Sequence, residues 1–196
     1  MTRDRGITDT APVSVLLEGH GRYEEIVERG EDPRTADLSR TVGWFTSITP
    51  VSLDPAEDIG RAVKAAKEEL LGQPDNGIGF GVLRYLADTA LARRPLPSIA
   101  FNYLGNVAGA ADGDAPAGDL LPDPDAPRLP GTVTGGMAVP SVLSINAGTV
   151  ATSGGREFSA EFSCARGLLA ESEIADLAGR WRAELAAIVE HVTAVG

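Results

Sequence analysis

"REFSAEFSC", Arg156 to Cys164, decides the fold class. Phe158, Ala160, Phe162 and Cys164 alternate with Glu157, Ser159, Glu161 and Ser163. A period of two with one apolar face is that of a half-solvated antiparallel strand. Just upstream, "SVLSINAGT" (141–149) sets Leu143, Ile145 and Ala147 on one face of a second strand. Downstream, "ESEIADLAGRWRAELAAIVEHV" (171–192) changes period, with Ile174, Leu177, Trp181, Leu185, Ile188 and Val192 forming a helical stripe. Towards the N-terminus, "APVSVLLEG" predicts a buried strand over Val13–Leu17 closed by Gly19. "VGWFTSITPVSLD" (42–54) predicts a strand that uses Trp44, Phe45, Ile48 and Val51. "DPAEDIGRAVKAAKEELLG" (54–72) predicts a helix capped by Asp54, with Pro55 in its first turn and Gly72 at its end. A second helix is expected over "GVLRYLADTALARR" (81–94) and a strand over Ser98–Leu104. Residues 106–131, rich in Ala, Gly, Asp and Pro, are expected to be a mobile loop within one partial domain of 196 residues. This order predicts an α/β sandwich, a mixed sheet packed with helices; it alternates too irregularly for a doubly wound fold.

Composition narrows the function classes. The apolar fraction is 43% and mean hydropathy is near zero, as in a soluble globular protein. Apolar runs are too short to span a bilayer, and "MTRDRGITDTAP" lacks the apolar core of a secretion signal, so a cytoplasmic location is expected. A formal charge of −11 makes nucleic acid a poor partner. One cysteine, Cys164, excludes an internal disulfide and gives no support to a cysteine-based metal site; its place on the apolar strand face predicts core packing. No metal site is expected. "NGIGFG" (76–81) matches neither phosphate-loop pattern and is expected to be a turn that starts a helix close to the sheet. His191, near the end of the last helix, is given no role in a site.

"EGHGR" (18–22) carries the chemistry. A glutamate at the mouth of a buried strand is partly desolvated, a setting suited to proton transfer. Glycines on both sides of His20 let backbone or substrate approach. The bland alternative is a strand-end turn with an ion pair between Glu18 and Arg22.

Four motifs occur in order: "EGHGR" (18–22), "LSRTVGWFTSITPVSLD" (38–54), "PDNGIGFGVLRYL" (74–86) and "FNYLG" (101–105). Together they resemble the epimerization domains of nonribosomal peptide synthetases, members of the condensation-domain superfamily with a chloramphenicol-acetyltransferase-like fold. The resemblance implies an isomerase that removes the Cα proton of an aminoacyl or peptidyl thioester and returns it to the opposite face. The substrate rides on the phosphopantetheine arm of a peptidyl carrier domain, and no diffusible cofactor is used. Glu18 corresponds to an acid/base residue, and Asn102 and Tyr103 to groups near the thioester. His20, Gly21, Trp44 and Ser47 are placed towards the substrate. Such domains have two lobes, the first bearing "HHxxxDG"; this chain has no adjacent histidines, and Tyr23 stands where the family usually has glutamate. The chain is therefore expected to be a C-terminal lobe, inactive without the N-terminal one and prone to self-association through an apolar face. A non-catalytic carrier-docking module and a condensation-type acyltransferase fragment are the competing readings.

Overall fold

The computed structural model describes residues 12–24, 37–38, 40–54, 56, 58–107, 138–139, 141–152 and 155–195. The elements are β1 (Val13–Gly19), β2 (Ser47–Leu53), α1 (Ile59–Leu71), α2 (Gly79–Tyr85), β3 (Ile99–Val107), β4 (Leu143–Thr152), β5 (Gly155–Cys164) and α3 (Glu171–Val195). Short 3₁₀ turns at Pro74–Gly77 and Ala90–Arg93 flank α2. The strands form one sheet in the order β2-β1-β3-β4-β5. β1 runs parallel to β3 and β3 to β4, while β2 and β5 pair antiparallel at the two edges, so the sheet is mixed. No helix among the described residues is long and apolar enough to cross a membrane.

Alternation along each strand divides the sheet into two unlike faces. On one lie Val15 and Leu17 of β1, Val51 of β2, Phe101 of β3, Ile145 of β4 and Phe162 of β5, as the register shows. Most of the core is here, with Val51 2% and Ala147 1% exposed; Leu16, 4% exposed, is buried on the other face. α3 packs on this face through Trp181, whose ring stacks on Phe158 at 5.6 Å and meets Phe162 edge-on at 5.6 Å. The opposite face is mainly polar.

Four expected boundaries move. The first helix starts at Ile59, not near Asp54, because Asp58 is the cap: its Oδ1 accepts from Arg61 N at 2.7 Å. The second stops at Tyr85. There Leu86 and Ala87 both donate to the Val82 carbonyl, and Thr89 Oγ1 bonds the Leu83 carbonyl at 2.6 Å, so a side chain competes with the helical ladder. Arg84 then holds the following turn by donating to the carbonyls of Leu91 (2.6 Å) and Arg94 (2.9 Å). The second strand starts at Ser47, leaving Val42 99% and Trp44 92% exposed in a loop. β3 extends to Val107, so 106 and 107 belong to a strand; residues 108–131 of the expected loop lie outside the described residues.

The first half of "NGIGFG" is a turn, as expected, and its last three residues already form the start of α2. Asp75 (φ 51°), Asn76 (φ 52°) and Gly77 (φ 77°) are three successive left-handed residues. A Cβ on Gly77 would lie 2.7 Å from the Thr49 side chain, so the glycine permits the close approach of this turn to β2.

Candidate functional site

The polar face carries one row of side chains that crosses the whole sheet. Ile48 of β2 pairs with Glu18 of β1, Glu18 with Asn102 of β3, Asn102 with Asn146 of β4, and Asn146 with Glu161 of β5. Paired residues share a face, and neighbouring strands lie about 4.8 Å apart. Glu18 and Asn102, distant in sequence, are therefore adjacent. Among the described residues the Glu18 carboxylate has no hydrogen bond or ion pair, although the side chain is only partly exposed. Asn102 Nδ2 donates to Asn146 Oδ1 at 3.3 Å.

Tyr103 is not in this group. One residue beyond Asn102, it points to the helix face, where it pairs with Ala147. Its ring stacks with Phe158 at 6.4 Å and its hydroxyl lies 3.5 Å from Thr149 Oγ1. The structure thus brings Glu18 and Asn102 together and separates Tyr103 from them, since consecutive strand residues face opposite ways.

The rest of "EGHGR" shapes the segment that follows β1. Gly21 is buried at φ 64°, and a Cβ there would sit 1.6 Å from the Phe45 carbonyl oxygen. Arg22 does not turn to Glu18. Its guanidinium donates to the Leu38 carbonyl at 2.6 Å and lies 4.3 Å from the centre of the Phe45 ring. Glu24 accepts from Leu38 N at 2.8 Å, so both backbone groups of Leu38 are held by residues at and just after this motif. His20 is exposed, rests against Tyr23 at 4.9 Å, and its Nδ1 accepts from Arg22 N at 3.0 Å. A neutral ring bonded this way carries its proton on Nε2 and offers a donor there.

His20, Arg22, Gly43, Trp44, Phe45 and Thr46 line a shallow groove of about 340 Å³. Ser47 opens β2 opposite Gly19, and its Oγ is 3.1 Å from where a Gly19 Cβ would lie. The expected substrate-side residues His20 and Trp44 thus share a groove, with Gly21 behind it and Ser47 at its edge. A larger groove of about 510 Å³, between the end of α1 and the start of α2, is lined by none of the candidate residues.

Asn146 escaped the sequence reading. Alternation in "SINAGT" already places it opposite Ile145 and Ala147, but only the register joins it to Asn102. Arg22 and Glu24 escaped as clamps because their partner is backbone 14 to 16 residues away.

The condensation domain family model matches residues 6–121, and the chain belongs to that family. Within it, the chain is similar over 98% of its length to the epimerization domain from the third module of tyrocidine synthetase B, with a TM-score of 0.65 and 33% identity. The chain covers 40% of that structure. It is 44% identical over 107 residues to a chondramide synthase of Chondromyces crocatus, and 44% identical over 99 residues to surfactin synthase subunit 2 of Bacillus subtilis. These matches take in 54% and 50% of this chain but only 3% of each of those relatives.

Proposed function

We propose that the chain forms one wall of an epimerization site for an aminoacyl or peptidyl thioester on the phosphopantetheine arm of a carrier domain. The observation that carries this is the placement of Glu18 beside Asn102 on the polar face of neighbouring strands. Removing a Cα proton next to a thioester produces an enolate. The base must reach Cα while a donor meets the carbonyl oxygen, two positions only a few ångströms apart. Glu18 is suited to the first and an Asn102 N–H to the second. Glu18 takes the Cα proton and negative charge moves to the oxygen; a different proton is then delivered to the other face, and Glu18 releases its own to solvent. That delivery needs a second acid/base group across the carbon. His20 is poorly placed for it, because its Nδ1 already accepts from Arg22 N. His191 lies on the last helix against Gly60 at the start of α1, not on the row. The second group is therefore assigned to the other lobe of such a domain, and no metal or diffusible cofactor enters the scheme. Tyr103 anchors β3 to the helix side in this reading.

Deuterium wash-in tests it. An L-aminoacyl carrier is mixed with the chain in D₂O, with and without the remaining lobe of an epimerization domain, and Cα mass and chirality are followed. Exchange that requires the added lobe and disappears in Glu18→Gln is the expected result. Unchanged exchange in Glu18→Gln refutes the assignment. The family match also admits a condensation-type reading, for which amide formation without D-product is the signature. The exposed Trp44 admits a docking reading, marked by carrier binding without exchange.

A further inference from the structure

What Asn102 can offer a substrate is decided on its far side. A carboxamide has two N–H donors and a carbonyl acceptor, and a half-turn of its end group exchanges them. Asn102 commits one N–H to Asn146 Oδ1 at 3.3 Å in a part-buried setting. This fixes the orientation and leaves the second N–H for whatever lies over the row. The polarity of Asn146 has its own cause. Next along the row stands Glu161, a carboxylate that takes the Ser163 hydroxyl at 3.3 Å. An amide beside a carboxylate is favoured with its N–H end towards it, which turns the oxygen of Asn146 to Asn102. The backbone of Asn146 is also well anchored, since Ile145 and Ala147 on either side are buried in the core.

We infer that Asn146 is a positioning residue: it sets the donor orientation of Asn102, and the two amides act as one unit on the thioester oxygen. This rests on the epimerization reading above.

A double-mutant cycle in the deuterium exchange assay, with the complementing lobe present, tests it. Asn146→Leu keeps the branched shape at Cγ and removes the acceptor; it is expected to lower kcat about tenfold, the worth of one hydrogen bond, with KM little changed. Asn146→Asp keeps an acceptor towards Asn102 and is expected to restore most of the rate. In an Asn102→Ala background Asn146→Leu is expected to change nothing further. Equal losses in both backgrounds, or an aspartate no better than leucine, overturn the inference. If Asn146→Leu does not fold, judged by its thermal melt, Asn146→Ala replaces it in the cycle with the same two outcomes. Glu18→Gln is run in parallel. If it leaves exchange unchanged, the epimerization reading falls and this inference with it. If it abolishes exchange while Asn146→Leu behaves as wild type, only the role of Asn146 falls.

Discussion

At the scale of single residues, "EGHGR" divides its labour. Glu18 faces the polar row, whereas Gly21 and Arg22 build the loop beside it. Gly21→Ala forces a Cβ into the Phe45 carbonyl at a left-handed φ, and we expect a loss of about 2 kcal/mol or more in urea unfolding. Arg22→Ala removes one of the two donors to the Leu38 carbonyl, leaving Thr41 N, and should cost about 1 kcal/mol by the same measurement. His20→Ala should keep exchange within about threefold of wild type, because this imidazole offers a donor rather than a base. A loss as deep as that of Glu18→Gln would make His20 the second acid/base group. The sequence placed Glu18 and Asn102 in two of the motifs that carry the family resemblance. It could not show that Arg22 is spent on a backbone carbonyl, since no spacing rule links it to Leu38.

Among the elements, the helix–sheet contact hinges on Trp181, wedged between Phe158 and Phe162. Trp181→Ala opens a cavity at that seam and is expected to destabilise the chain by about 3 kcal/mol, read from the thermal melt. Strands with clean alternation, such as "REFSAEFSC", were legible to within a residue. Segments governed by side-chain bonds to backbone were not. Apolar periodicity runs on through "GVLRYLADTALARR", but Thr89 and Arg84 take the carbonyls that a continuous helix would need or cover. Likewise Trp44 has strand-like chemistry, yet its neighbour Phe45 is held by Gly21 and Arg22 ahead of the first strand residue.

For the molecule as a whole, the helix layer and the loop before β2 leave large apolar side chains in solvent. Val42, Trp44, Leu71, Tyr85 and Leu86 are each at least 70% exposed. Self-association follows as an expectation: light scattering should give an apparent mass that rises with concentration. Val42→Ser with Trp44→Ser should reduce that rise while shifting stability by no more than about 0.5 kcal/mol. A mass constant across concentrations refutes it. The fold class was legible because the two hydrophobic periods state it directly. The site was legible only in part, because which polar residues stand side by side depends on strand register, and register is a relation between distant segments. That dependence has a practical meaning. A slip of one position between β1 and β3 would bring Leu17 opposite Asn102 and carry the carboxylate away from its amide. What opposes the slip is the packing of Leu17, Phe101 and Ile145 on the side that faces the helices. Variants confined to that oily side can therefore part Glu18 from Asn102 without touching a polar group, as a lock fails when its frame, rather than its bolt, is bent.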